Sequence, residues 1–304
     1  MKLLLVDGYY YAYRSFHALP ELLSPEGAPT GAVFGFLKAL RRMVKDLKPD
    51  RAAVVWDQGL PKRRTDLQPA YKAQRAEMPE PLQAQLGLLR EMITLSGFAS
   101  VALPDTEADD LMASYAVAVV AMGWECVLAT ADKDLFQIVD PNIRVYSTNK
   151  TDLASPQDTF ALLGAEQVLQ KWGVQPGQLG DVLCLVGDSS DNIPGVAGIG
   201  PKSAAALIGR WGALEQVYAN LPAVGSDKLA AKLEAGRSQV FENREMVRLD
   251  NDLPLPVPPA DLRIEPQFDR LIPALERCGF KSLREEMIRE RDKSVSPLQG
   301  DLFA

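Results

Sequence analysis

Histidine is nearly absent from this chain of 304 residues; His17 is the only one. Cysteine is scarce too: Cys126, Cys184 and Cys278 are odd in number and far apart. With no paired-thiol spacing, a zinc finger or a disulfide framework is excluded, and unpaired thiols fit a reducing compartment. A Ser-His-Asp triad or a two-histidine zinc protease would have to run on His17 alone. No uncharged stretch reaches the ~18 apolar residues needed to span a bilayer. The first apolar run, residues 3–6, stops at Asp7, unlike a signal peptide. These absences point to a soluble cytoplasmic protein whose chemistry rests on carboxylates, which suit hard ions such as Mg²⁺ or Mn²⁺.

The rest of the composition is ordinary for a globular protein, with 47% hydrophobic and 24% charged residues. The length suits one large α/β domain or a core with a satellite. Net charge is −7 and pI about 5.0, which taken alone argues against a non-specific nucleic-acid binder.

Short apolar runs at 3–6, 52–56 and 126–130, with a fourth candidate at 98–102, are continuous rather than alternating. That pattern predicts strands buried on both faces of a parallel sheet. Helical patterns fill 31–47, 81–96 and 107–122 between them, the last apolar nearly all round after its first turn. The alternation predicts a doubly wound α/β sheet over residues 1–155. From 156 to about 250 the pattern is helical, in pieces set apart by Gly and Pro. Residues 252–259, rich in proline, read as an extended linker, a final helical segment covers 268–291, and a flexible polar tail covers 292–304.

Three of these strands run into aspartate: Asp7, Asp57, and Asp132 with Asp134. Ligands of open α/β sheets sit beyond the carboxyl ends of the strands, so these acids converge on one crevice. Glu107, Asp109 and Asp110 open the buried helix at the same edge, and Asp188 and Asp191 form another spaced pair. Any one of them could be a cap or a dipole partner. Nine together would repel strongly without cations among them, which makes the set a metal site. Two hard ions there would activate a water and steady the leaving oxygen of a phosphodiester.

The segment Asn192-Ile193-Pro194-Gly195-Val196-Ala197-Gly198-Ile199-Gly200-Pro201-Lys202-Ser203 is no Walker A loop, because Pro201 separates Gly200 from Lys202. It is no dinucleotide fingerprint either, since Ser203 stands at the third glycine position and no strand precedes it. It fits a helix-hairpin-helix over about 186–211, with Pro201 at the first helical position and backbone N–H groups placed for a phosphate. The basic run from Lys62-Arg63-Arg64 to Tyr71-Lys72-Ala73-Gln74-Arg75 follows Asp57. Positive charge beside an aromatic is how single strands are gripped without sequence preference, and the segment reads as a mobile loop or short helices that order on binding.

Six motifs occur in order: Asp7-Gly8; Pro29-Thr30-Gly31-Ala32-Val33; Tyr71-Lys72-Ala73-Gln74-Arg75; Glu107-Ala108-Asp109-Asp110; Ala131-Asp132-Lys133-Asp134; and Gly187-Asp188-Ser189-Ser190-Asp191-Asn192-Ile193-Pro194-Gly195. Over about residues 1–285 the chain resembles the bacterial 5′ nuclease (flap endonuclease) family, which also forms the N-terminal domain of DNA polymerase I. The resemblance implies a PIN-like, mostly parallel sheet with a helical arch and a helix-hairpin-helix subdomain. It implies structure-specific cleavage of 5′ flaps and 5′ ends of DNA in replication and repair, leaving 5′-phosphate and 3′-hydroxyl termini. By that resemblance Asp7, Asp57, Glu107 and Asp109 form a first metal site, while Asp110, Asp132, Asp134, Asp188 and Asp191 form a second or its surroundings. Residues 61–80 are the arch, with Lys72 and Arg64 acting on the scissile phosphate and Tyr71 and Arg75 on the strand. Arg14 is a phosphate contact. Gly198, Gly200 and Lys202 hold the downstream duplex, and K⁺ sits on backbone carbonyls of Val196 and Ile199. Arg63 and Thr65 depart from the pattern, since relatives often carry an aromatic and a histidine there. All nine acids are kept, although some standalone homologues have lost several, and no polymerase domain follows, which implies a freestanding, monomeric nuclease.

The final Gln299-Gly300-Asp301-Leu302-Phe303 resembles the bacterial sliding-clamp-binding peptide, a disordered segment whose Leu and Phe anchor in an apolar pocket. Two other readings compete. A non-catalytic DNA-junction binder gains nothing from an uncompensated acidic cluster, and a haloacid-dehalogenase-like phosphatase needs a second aspartate where Tyr9 stands. Setting the nine clustered acids aside leaves a slightly basic chain, so the net charge conceals a basic scaffold around one acidic pocket.

Overall fold

The computed structural model describes residues 1–153, 155 and 157–295. In chain order the core contains β1 (Lys2–Asp7), α1 (Gly8–Ala18), α2 (Gly31–Leu47), β2 (Arg51–Val55), α3 (Lys62–Leu67), α4 (Glu80–Leu95), β3 (Ala99–Val101), α5 (Ala108–Ala121), β4 (Glu125–Ala129), β5 (Ile143–Ser147) and β6 (Ala161–Leu163). A helical region follows with α6 (Ala165–Trp172), α7 (Leu179–Val186), the two-strand hairpin β7 (Gly187–Asp188) and β8 (Ile193–Pro194), α8 (Pro201–Trp211), α9 (Leu214–Ala219), α10 (Asp227–Ala235) and α11 (Arg237–Val247). Two terminal helices, α12 (Phe268–Arg277) and α13 (Lys281–Val295), complete the described chain.

The six-stranded sheet has the order β3-β2-β1-β4-β5-β6. All pairings are parallel except that of β5 with β6. The continuous apolar strands supply both faces, as such runs require. Leu3, Leu5, Ala53, Val55, Cys126 and Leu128 face α5 and the helical region, while Leu4, Val6, Ala52, Val54, Val127 and Ala129 face α1, α2, α4, α12 and α13. The strand order reverses between β1 and β4, which puts the topological switch point, and the crevice it opens, at the carboxyl ends of those two strands.

Several boundaries differ from the sequence reading. The sheet extends past residue 155, because β6 lies within the stretch expected to be helical and pairs with β5 through Val145, Tyr146 and Ser147. The final helical segment is two helices, broken where Gly279 takes φ +75°. The tail begins later than residue 292, since α13 continues to Val295. The residues of the clamp-type motif, Gln299, Asp301, Leu302 and Phe303, lie outside the described residues. The proline-rich linker is extended as expected, but it is held against α5. Leu253 donates its N–H to Ser114 Oγ (3.2 Å), and Tyr115 Oη donates to the Val257 carbonyl (2.8 Å). Among the described residues no helix is long and apolar enough to cross a membrane.

Candidate metal centre

Asp7 ends β1 and caps α1, its Oδ1 accepting the Tyr10 N–H (2.9 Å) while Oδ2 accepts from Thr130 Oγ1 (2.9 Å) at the end of β4. Gly8 follows because Trp56 lies over it; a Cβ there would meet the indole at 2.5 Å. Asp57, just past β2, accepts the Ala108 N–H at the start of α5 (3.3 Å). Across the switch point Thr130 Oγ1 accepts the Asp132 N–H (3.0 Å), and Asp132 Oδ1 accepts the Asp134 N–H (2.9 Å). The strand ends thus aim Asp7, Asp57, Asp132 and Asp134 at one edge, where the first turn of α5 adds Glu107, Asp109 and Asp110. These last three each offer an oxygen within 4.8 Å of the others.

The remaining pair comes from the helical region. β7 and β8 pair so that their connecting loop carries Asp191 back toward the sheet. Asp188 accepts from Ser190 N (2.8 Å), Ser190 Oγ (2.6 Å) and Lys133 Nζ (2.6 Å). Asp191 takes the Arg75 guanidinium at 2.5 Å.

Burial raises the carboxyl of Asp7 to about 7, reinforced by the charges of Asp57 and Asp132 against two hydrogen bonds. Burial likewise raises Asp57, Asp132, Asp109 and Asp134, the last two well above the usual carboxylate range, with acidic neighbours adding to it. Glu107 is the exception on this edge: burial would raise it, but Lys72 and Arg64 outweigh burial and hold it low. Asp134 Oδ1 is buried with no hydrogen-bond partner, a costly state for a carboxylate oxygen. Clustered acids that push one another's protonation upward, with an unpartnered buried oxygen among them, fit divalent cations as resident groups.

The arch segment does not stand away from this edge. Gln68 Nε2 donates to the Asn192 carbonyl, Gln74 Nε2 to the Ser189 carbonyl (2.5 Å), and the Lys72 N–H to the Asp191 carbonyl (3.2 Å). Lys72, a non-glycine residue at φ +57°, reaches Glu107 with Nζ and lies 3.6 Å from Asp191. Such strain is found where surrounding structure enforces it. Two expectations need correction. Tyr71 is buried, its hydroxyl donating to Glu107 (3.1 Å), so the ring offers no stacking face. Arg64 is buried among Glu107, Asp110 and the carbonyls of Met246 and Arg248, rather than open to a phosphate.

Arg14 remains accessible, held by Tyr10 Oη (3.1 Å) and Thr148 Oγ1 (2.7 Å) in a small polar pocket that also contains Thr130 and Lys171. The helix-hairpin-helix starts earlier than expected, its first helix being α7. Gly198 sits at φ +78° with Lys232 Nζ beside it, and Gly200 is the N-cap of α8, leaving the first N–H groups of that helix and exposed Lys202 facing outward. Val196 and Ile199 line the same turn, the Ile199 N–H donating to the Val196 carbonyl (3.0 Å). Nothing local in the sequence marks Thr130 or Lys232, whereas Lys133 stands between two of the acids.

A largely half-buried acidic edge thus lies at the switch point, with a basic segment against it and a glycine-rich hairpin in the same helical region, the arrangement of a nuclease fold. The chain belongs to the 5′-3′ exonuclease family. Residues 2–173 match the model of its N-terminal resolvase-like domain, and residues 174–270 that of its C-terminal SAM fold. A 5′-3′ exonuclease of Aquifex aeolicus is 32% identical over 287 residues, 94% of each chain. The thermostable DNA polymerase I of Thermus thermophilus is 39% identical over 285 residues, and there the chain spans 33% of the relative's length. Among solved structures, bacteriophage T5 5′-exonuclease with bound zinc aligns at TM-score 0.66 and 21% identity, covering 95% of this chain and 99% of that one. The catalytic core of Rad2 in complex with DNA substrate aligns at 0.63 and 16%, covering 95% and 91%. These two likenesses speak to the fold.

Proposed function

We propose that the protein hydrolyses DNA phosphodiesters at 5′ flaps and 5′ ends, leaving 5′-phosphate and 3′-hydroxyl termini, with two Mg²⁺ or Mn²⁺ ions in the acidic crevice. The observation that supports this reading is that Glu107, Asp109 and Asp110 each offer an oxygen within 4.8 Å of the others, that charges of neighbouring acids act on Asp7, Asp132 and Asp134, and that one Asp134 oxygen is left without a partner. Asp7, Asp57, Glu107 and Asp109 would hold one ion, and Asp132, Asp134, Asp188 and Asp191 the other, with Asp110 adjoining. When bound, such ions make a water easier to ionise and offset charge on the leaving oxygen.

The chain's own groups position the strand. Thr130 and the Tyr10 N–H fix both oxygens of Asp7. Lys72 and Arg75 pair with Glu107 and Asp191 at the edge of the crevice; a divalent ion held by those acids would leave both bases free for a phosphate. Arg14 offers a second phosphate contact. On the far side the start of α8, with Lys202 and Lys232, suits the backbone of a downstream duplex without reading bases. The substrate is therefore branched or 5′-ended duplex DNA, bound by a monomer in the cytoplasm during replication and repair. K⁺ at the hairpin carbonyls of Val196 and Ile199 completes the reading.

A 5′-labelled flap duplex incubated with Mg²⁺ tests it, with Asp132→Ala as control. The expected product is a short 5′ fragment seen with the wild type and lost in the variant. Cleavage that survives Asp132→Ala, or that never occurs with any divalent ion, defeats the proposal.

A further inference from the structure

A guanidinium has five N–H donors, and in Arg64 all five are used inside the protein. Nε donates to the Met246 carbonyl (3.0 Å). Nη1 donates to Glu107 and to Asp110 Oδ2 (2.7 Å). Nη2 donates to Asp110 Oδ1 (2.9 Å) and to the Arg248 carbonyl (2.9 Å). The side chains of Arg64 and Asp110 are 2% and 1% exposed. Asp110 is equally committed, since its Oδ1 also accepts the Asp250 N–H (2.9 Å). An arginine in this state has no donor left for a phosphate oxygen, and reaching one would strand a buried carboxylate.

We propose that Arg64 is a positioning residue for the nuclease reaction, a clasp that joins three elements rather than a contact to the scissile phosphate; the proposal rests on the nuclease reading above. Its own helix, α3, is the base of the arch. Glu107 and Asp110 stand at the start of α5, beside Asp109. The carbonyls of Met246 and Arg248 lie at the end of α11, and α11 in turn holds the hairpin region, Asn243 Nδ2 donating to the carbonyls of Cys184 (2.9 Å) and Pro194 (2.7 Å). Neighbouring Arg63 strengthens the joint by donating to the Arg248 carbonyl and to Asp250 (3.1 Å each). One buried side chain therefore sets the orientation of the acids on α5 and registers the arch against the hairpin. Asp110 serves as the anchor of this clasp, and its effect on the metal comes through the placement of its neighbours.

The test compares wild type with Arg64→Met, Asp110→Asn and the double variant. Mn²⁺ alone is titrated calorimetrically, and flap-DNA affinity is measured against salt without divalent ion. A clasp predicts that Arg64→Met lowers Mn²⁺ affinity about tenfold or more, as loss of a ligand-orienting partner does. It also predicts that the slope of log affinity against log salt stays at the wild-type value, because no phosphate contact is lost. The double variant should bind Mn²⁺ no more weakly than the poorer single variant, the non-additivity of groups acting as a unit. A slope shallower by about 0.9, the signature of one lost phosphate contact, or unchanged Mn²⁺ affinity, overturns the proposal. If Arg64→Met does not fold, the double variant leaves no buried charge unpaired, and its salt slope decides alone. A wild-type protein that cleaves no flap defeats the nuclease reading, whereas the Mn²⁺ isotherms judge Arg64 in either case.

Discussion

The acids on the sheet edge and those on the β7–β8 hairpin have opposite electrostatic surroundings. Asp7, Asp57, Asp109, Asp132 and Asp134 are half-buried, and withdrawal from water, with acidic neighbours adding to it, pushes their carboxyls up. For Asp188 burial acts upward, but Lys133 and Ser190 hold it below the ordinary range. Asp191 is bridged by Arg75 and approached by Lys72. Among the described residues none of these five makes an ion pair, while the hairpin acids are already paired with bases of the chain itself. On the proposed reading the first region would call for metal, and the second would bring its ligands through ion pairs that have to open.

The sharpest way to break this contrast is to neutralise one acid from each region. Asp109→Asn should slow single-turnover flap cleavage about 10³-fold, since a primary divalent site is worth several kcal/mol. Asp188→Asn should cost about tenfold, the scale of a supporting partner. Equal losses in quench-flow would erase the distinction. Lys72→Met removes the ammonium between Glu107 and Asp191, so Mn²⁺ should bind about tenfold more tightly in calorimetry, about 1.4 kcal/mol, even as cleavage falls. Weaker binding would mean that Lys72 supports the site rather than occupying it.

pH separates the regions further. Asp7 binds its proton more tightly in the folded chain than in the unfolded one, so between about pH 4 and 7 the folded state holds more protons and stability falls as pH rises. Metal-free protein should melt at a lower temperature at pH 7 than at pH 5, and Asp7→Asn should flatten that difference by a few degrees. The depressed carboxyl of Asp188 has the opposite sign. Its contribution is present above the unfolded value near 3.8 and disappears as pH falls through the lower folded value. Lys133→Met should therefore cost up to about 1 kcal/mol near pH 6 in urea titrations, the modest worth of a partly solvated pair. The loss should shrink in acid.

What sequence could reveal follows from how local each cause is. Four strands and the first turn of α5 were legible because continuous apolar runs and strand-terminal acids are short-range patterns that topology converts into one crevice. β5 and β6 were missed because Ile143–Ser147 is short and mixed, and Ala161–Leu163 is a strand only through its antiparallel partner. Helix α1 was missed because its run of tyrosines lacks a clear apolar stripe, and Asp7, read as a ligand, is also its cap. The largest divergence lies in the arch. A basic stretch looks like a solvated, substrate-facing surface, yet Arg64 finds its acceptors 43 to 184 residues away, and nothing local announces them.

The strap over α5 gives the helical region a second attachment. The chain leaves the α/β core after β6 and re-enters at Asp250, whose N–H rests on Asp110, before running past Ser114 and Tyr115 to α12. A segment anchored at both ends cannot fray as a chain terminus does. Asp188 and Asp191 lie between the two crossings, so they are tethered to the crevice from both sides.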